Sequence, residues 1–244
     1  MNCLIISDLH APYQHRDTLD FLLGLNDKYK FDKIICIGDE LDYHSMSFHD
    51  HDPDLDGPLS EFQKGRAFLH ELCHTFPQMT IIESNHGSIP YRKAVRHGIP
   101  SSHMMGYGDV VFGKKDKHGN IIRSSFGNGW VWKSEDTLTL KNGQKVKFVH
   151  GWLRNTLSNV KNTGMCFVQG HHHSGFEVVY HHTSDFLNWG ITAGCLIDDE
   201  QFAFRYNKNN ASRPVIGCAG IIDDQPRLFP MVLNKKRRWT GVVP

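Results

Sequence analysis

Five short segments of this sequence carry residues suited to holding divalent metal ions. They are Asp8-Leu9-His10, Gly38-Asp39-Glu40-Leu41-Asp42, Asn85-His86, His150-Gly151 and Gly170-His171-His172-His173. The donors they supply are Asp8, His10, Asp39, Asn85, His150, His171 and His173. Carboxylate oxygens, imidazole nitrogens and one amide oxygen, with no thiolate, suit divalent transition metals. Seven donors are too many for one tetrahedral site. They fit two metals about 3.5–4 Å apart that share a carboxylate. Asp39 is the natural bridge, because Gly38 before it allows close backbone approach. A hydroxide held between two such ions is a nucleophile at neutral pH.

Each segment directly follows an apolar run that reads as a strand. The runs are Cys3–Ile6, Lys33–Ile37, Met79–Glu83, Gln144–Val149 and Cys166–Gln169. Strands that end side by side at one sheet edge bring such residues together. Between the first three runs the period changes to helical. Asp17 caps a helix to about Lys28, and Ser60 opens a second, with Gln63 in the capping-box position. Ser88–His97 reads as a third helix. This alternation predicts an α/β fold with parallel strands covered by helices.

Later segments read differently. Ile99–Glu135 is glycine-rich and weakly patterned, an excursion expected to wall a pocket, as does the loop His44–Gly57. Thr137–Lys141 and Gln144–Val149 flank Asn142-Gly143, a type I′ hairpin signal. Leu153–Thr163 reads as a helix ended by Gly164. Short strands are expected at Phe176–His181, Ala193–Ile197, Phe202–Tyr206, Val215–Ile222 and Leu228–Leu233. No linker or repeat divides residues 1–244, so one domain is expected, with 99–135 inserted in it.

Composition excludes several classes. A chain of 244 residues buries a core without disulfide or metal staples. Lys+Arg is 27 against Asp+Glu 26, so no global field draws in nucleic acid, and no stable nucleic-acid complex is expected. No apolar run approaches the ~20 residues that span a bilayer. The amino terminus lacks the pattern of a signal peptide. Six scattered cysteines without a Cys-x-x-Cys pair read as buried thiols of a reducing compartment, the cytoplasm. Histidine stands out, with 17 residues. The basic run Lys235-Lys236-Arg237-Arg238 reads as a solvated end, or else as a phosphate contact.

The ordered series Asp8-x-His10, Gly38-Asp39-x-x-Asp42, Asn85-His86, His150-Gly151 and Gly170-His171-x-His173 resembles the calcineurin-like metallophosphoesterases. The resemblance implies two stacked mixed β-sheets flanked by helices, a four-layer sandwich. It implies one metal on Asp8, His10, Asp39 and His173, and a second on Asp39, Asn85, His150 and His171. It implies phosphoester hydrolysis by a metal-bridging hydroxide, with His86 over the substrate phosphate, serving the leaving oxygen. Asp42 is expected to orient a ligand by hydrogen bond. The family pattern has Gly-Asn-His followed by Asp or Glu, whereas this chain has Ser84-Asn85-His86-Gly87. Asp42, His44 or a carboxylate from elsewhere is expected to stand in. The flanks Ser7–Tyr13, Ser45 and Asp54, and Gly194–Asp198 resemble family members encoded by tailed phages, including 5′-deoxyribonucleotidases. For such a chain the location implied is the host-cell cytoplasm.

The substrate expected is a small phosphorylated molecule, a (deoxy)nucleoside 5′-monophosphate. Trp152, Arg154 and Tyr107 are the candidate substrate contacts. Trp130 and Trp132 are further candidates for stacking on a base, and Arg92 and Arg96 for holding phosphate. The alternatives are a phosphodiesterase or nuclease of the same chemistry, a protein phosphatase, and a non-catalytic scaffold. Manganese is the favoured metal, and iron, zinc, nickel and cobalt accept the same donors.

Overall fold

The structure is a computed structural model, describing residues 1–47, 54–118, 121–123, 126–201 and 212–244. The first three apolar runs form parallel strands β1 (Cys3–Ile6), β2 (Lys33–Cys36) and β3 (Met79–Ile82). Helices α1 (Thr18–Tyr29) and α2 (Pro58–Thr75) connect them. Next come α3 (Ile89–Arg96), α4 (Tyr107–Phe112), a small hairpin of β4 (Gly113–Lys115) and β5 (Ile121–Arg123), and β6 (Trp130–Lys133). The hairpin of β7 (Asp136–Thr139) and β8 (Lys145–Phe148) is followed by α5 (Thr156–Thr163) and β9 (Cys166–Gln169). Antiparallel pairs β10 (Phe176–His182) with β11 (Leu187–Ala193), and β12 (Gly217–Ile222) with β13 (Gln225–Pro230), complete the described chain.

Two mixed sheets result, of order β13-β12-β1-β2-β3-β6 and β10-β11-β9-β8-β7. The period of two along each central strand divides its side chains between two cores. Cys3 and Ile5 of β1, with Ile35, Ile37 and Ile82, face Val146, Phe148, Val168, Trp189 and Ile191 of the other sheet. Leu4, Ile6, Ile34, Cys36 and Ile81 face the opposite way, onto Phe21, Leu22 and Leu25 of α1 and Phe68, Leu69 and Leu72 of α2. Helix α5 covers the outer face of the five-stranded sheet. This is a two-sheet α/β sandwich flanked by helices, as the resemblance implies, with β1, β2 and β3 buried on both faces as their apolar runs require. Among the described residues no helix is long and apolar enough to cross a membrane. All six cysteines are buried free thiols.

Several local expectations are corrected. Helix α2 starts at Pro58, whose fixed φ suits the first turn, and the Ser60 hydroxyl donates to Asp56 at 2.8 Å instead of capping. Asp17 stands before α1 but does not cap it. Its carboxylate accepts from Arg238 Nε and from the Trp239 amide. The carboxyl-terminal basic run is therefore tied down at Arg238, and at Arg237 through Asp199. At the β7–β8 turn only Gly143 has positive φ (+87°), and its amide donates to the Leu140 carbonyl. That is a three-residue turn with a glycine bulge, not type I′. Helix α5 begins at Thr156, where Asn155 accepts from the Ser158 amide at 2.9 Å.

The strand expected at Ala193–Ile197 lies earlier, at Leu187–Ala193, because Asn188 and Thr192 face polar partners inside the fold. Within 99–135, α4 packs Val111 and Phe112 into the core, and β6 joins the main sheet beside β3. The strand expected at Phe202–Tyr206, and His49–Pro53 of the acidic loop, lie outside the described residues.

Phe148 is fully buried between the sheets, two residues before His150. Phe148→Ala should cost about 3–5 kcal/mol of stability. Urea unfolding followed by circular dichroism measures it, and a loss under 1 kcal/mol would show that the two sheets do not share this core.

Candidate metal centre

Beyond their last residues β1 and β2 remain zipped together. The Asp8 amide donates to the Gly38 carbonyl, His10 to Asp39 and Ala11 to Glu40, at 3.2, 2.8 and 3.0 Å. The backbone bends sharply while so held. Asp8, His10, Asp39 and His171 all have left-handed φ, between 49° and 64°. Asp and His tolerate this region better than most residues, yet each such position costs on the order of 1–3 kcal/mol. Four neighbouring instances turn four side chains toward one place at the sheet edge. Gly38 (φ +99°) is required twice over, since a Cβ there would stand 2.8 Å from His150 Nδ1.

Two donor clusters form. Asp8 Oδ1 lies 3.2 Å from His173 Nε2 and 3.8 Å from His10 Nε2, and the two Nε2 atoms are 3.1 Å apart. His150 Nε2 lies 2.6 Å from Asn85 Oδ1 and 3.2 Å from Asp39 Oδ2. The same Asp39 oxygen is 3.5 Å from His10 Nε2 and so reaches both clusters. Asp8, His10 and His173 form one group able to hold an ion, and Asp39, His150 and His171 another. A third combination, His10, Asp39 and His86, overlaps the first two.

The donor chemistry fits cations. Ligand atoms about 2.1 Å from one metal stand roughly 3.0–3.4 Å apart, as His173 does from Asp8 and from His10, and His150 from Asp39. His150 Nδ1 donates to the Ile37 carbonyl at 2.9 Å, which directs the Nε2 lone pair at the Asn85 oxygen. Two acceptors at 2.6 Å need a positive centre between or on them. His10 is set the same way, its Nδ1 held by Asp42 Oδ1 at 2.5 Å. Such outer partners fix the ring and its tautomer for metal binding.

Protons take the cations' role in the metal-free protein. Burial alone would push the Asp8 carboxyl up, but hydrogen bonds from His10 and His173 hold it well below the usual range. Asp39 is likewise lowered against its burial, chiefly by His150. In return Asp39 raises His150 to about 9 against the burial that would lower it. Asp42 and Asp8 raise His10 in the same way.

His86 lies beside these clusters, its ring centroid 4.6 Å from that of His10. Its amide donates to Asp39 Oδ1, and its Nδ1 donates to the Asp42 carbonyl oxygen at 2.5 Å. A carbonyl only accepts, so Nδ1 carries the hydrogen and Nε2 is left for a substrate. The Asp42 carboxylate is 3.3 Å from the same Nδ1. His44 Nδ1 lies 3.9 Å from Asp42 Oδ2.

The substrate candidates separate. Trp152 is half exposed and lines a cleft of about 480 Å³ with Asn85, His150 and His171. Lys147 stands 5.7 Å over its ring. Arg154 is exposed and does not line this cleft; its charge lowers His172. Tyr107 lies on the other side of the Ser84–Gly87 turn, edge-on to Trp132 at 5.6 Å. Trp130 is buried in the core and donates to the Phe76 carbonyl, so it is not a base platform. Arg92 donates to the Asn85 carbonyl at 2.7 Å and braces that loop.

Sequence reasoning passed over Glu61 and Glu40. Glu61 is a buried carboxylate that accepts from the amides of His44 and Ser45 and fixes the turn after Asp42. Its sequence signal was an acid on the apolar face of α2. Glu40, adjacent to Asp39, had none that separated it from its neighbour.

Residues 1–210 match the calcineurin-like phosphoesterase family, and the chain belongs to it. The family depends on two metals, and the donor groups here suit that pair. Among solved structures, an archaeal phosphodiesterase is 12% identical, with 100% of both chains covered and a TM-score of 0.45. Vacuolar Protein Sorting 29 from Cryptosporidium parvum is 12% identical over 100% of this chain and 94% of that one, at 0.46. Vps29 from Chaetomium thermophilum is 10% identical over 100% and 92%, at 0.49. None of the curated proteins compared with the chain matches it.

Asp39→Asn and His150→Ala should each lose bound metal, read by elemental analysis, while circular dichroism stays native. Retained stoichiometry in both variants would place the metals elsewhere.

Stability should also report the protons. A raised histidine pKa stabilises the fold fully below about 6.5, and the gain is lost as pH climbs through the folded value. For His150 that window runs from 6.5 to about 9, with His10 acting in the same direction. His171 and His172 are lowered by burial, so they act below 6.5. The thermal midpoint of chelator-treated protein should fall from pH 6.5 to 9, and saturating metal should flatten the fall. A midpoint rising over that window would contradict the assignment.

Proposed function

We propose that this phosphoester hydrolase is a phosphomonoesterase acting on (deoxy)nucleoside 5′-monophosphates. The observation that carries the reading is the convergence of donors beside His86, of which Asn85, His150 and His171 line a cleft sized for a small molecule. Two divalent cations, manganese in our reading, supply Lewis-acid stabilisation of phosphoryl charge and activate water. Asp8, His10 and His173 would hold one, Asn85, His150 and His171 the other, and Asp39 would contribute to both.

The remaining steps belong to the chain. Asp42 holds His86 with Nε2 turned outward, where a ring carrying a proton on both nitrogens passes the Nε2 proton to the departing alkoxide. Asp42 also holds His10, so the acid and a metal ligand keep one relative position. Trp152 and Lys147 form the cleft rim, an aromatic face and a cation suited to a nucleotide. The balanced charge gives no extended basic field for a polynucleotide. The resemblance of the flanks to phage-encoded nucleotidases supports the same substrate class and a cytoplasmic setting.

Phosphate release should be measured with manganese and with chelator. Substrates are a deoxynucleoside 5′-monophosphate, its ribo counterpart, bis-p-nitrophenyl phosphate and single-stranded DNA. The monophosphates should be cleaved only with metal. Cleavage of diester or DNA with monophosphate untouched would move the protein to the phosphodiesterase branch. His86→Ala should lower kcat by about 10²-fold or more with metal content kept. An unchanged rate would assign the acid elsewhere.

A further inference from the structure

A second cavity, of about 350 Å³, opens on the far side of the Ser84–Gly87 turn. It shares Glu83 and Ser84 with the cleft at the metal centre, so only that turn divides the two. Its other walls include Glu40, Gly87, Tyr91, Met105, Tyr107 and Trp132. Three aromatic rings around a space of this size suit a flat heteroaromatic group. Gly87 keeps the entrance clear, since a Cβ there would stand 3.2 Å from Ser84 Oγ and 3.5 Å from the Tyr107 hydroxyl.

Glu40 gives the cavity a chemical preference. It is 2% exposed, and its Oε1 accepts from Trp132 Nε1 at 3.1 Å. A carboxylate has roughly four lone-pair sites, of which Trp132 and the Glu40 backbone amide occupy two. No cationic side chain is among the cavity's lining residues, so the chain supplies no ion-pair partner there. Buried carboxylates are stable when hydrogen-bonded. A ligand with adjacent N–H donors completes that shell. Guanine offers two side by side on one edge. Thymine offers one N–H flanked by two carbonyl oxygens, which the carboxylate repels.

We infer that this cavity receives the base of the nucleotide, and that Glu40 selects a guanine-type edge over thymine. The inference rests on the nucleotidase reading and names its substrate more closely. Glu40 follows Asp39 and Gly87 follows His86, so a base seated here keeps its own phosphate near the metal centre.

Calorimetric titration with deoxyguanosine and thymidine tests the cavity without catalysis, since neither carries phosphate. Deoxyguanosine should bind at least about tenfold more tightly. Glu40→Gln should remove that preference, and Gly87→Val should weaken both nucleosides by filling the space. In catalysis, Glu40→Gln should lower the kcat/KM ratio of deoxyguanosine to thymidine 5′-monophosphate by a similar factor. Circular dichroism and metal content establish that each variant is folded and loaded. Equal binding of the two nucleosides, or a preference that survives Glu40→Gln, would overturn the inference. The nucleotidase reading fails separately: deoxyguanosine would still bind, but no monophosphate would be cleaved.

Discussion

The structure turns on one carboxylate oxygen. Asp39 Oδ2 is reached by His10 from the end of β1 and by His150 from the end of β8, which belong to different sheets. Both sheets must therefore stop at the same height and stay in that relation. The buried contact between Ile35, Ile37 and Ile82 on one side and Phe148 and Val168 on the other provides it. Packing of this density moves as two rigid layers or not at all. A slip of a strand by one residue would reverse its side chains and take a ligand out of reach.

Collecting carboxylates and imidazoles in a dry place has an electrostatic cost that the fold meets locally. Asp8 and Asp39 are buried and stay ionised because histidines face them. Those histidines are in turn held from behind, His150 by the Ile37 carbonyl and His10 by Asp42. The left-handed backbone at Asp8, His10, Asp39 and His171 adds strain, and the backbone bonds between the two loops retain it. A cation at each cluster relieves the repulsion that protons otherwise neutralise. Metal binding and folding are thus coupled through the same groups.

How much of this was legible in the sequence follows from which signals were local. The strands before the metal ligands were legible because β1, β2, β3 and β9 are unbroken apolar runs, buried on both faces. That the donors would gather at one sheet edge was legible because each run ends in a residue type with little other reason to be there. Strand β11 was missed because its buried polar residues serve α5: Thr192 meets the Thr156 hydroxyl at 2.6 Å, and Asn188 donates to the Gly164 carbonyl. Only tertiary context explains them. Strand β6 sat in a glycine-rich stretch, and its role depends on pairing with β3. Arg238 looked like a solvated charge because Asp17, its partner, lies 221 residues away in sequence.

The departure at Gly87 gains meaning from Asp42. Here the assisting residue is Asp42, which also holds His10, a member of the first donor cluster. One residue then sets both the proton donor and a metal ligand, so a shift in either is felt by the other. Glu61 extends the arrangement by fixing the His44–Ser45 turn that follows Asp42. On its other face the Ser84–Gly87 turn borders, at Gly87, the cavity bounded by Tyr107, Trp132 and Glu40. The loop that carries His86 therefore has the donor clusters on one side and an aromatic cavity on the other, so a change in that loop is felt by both.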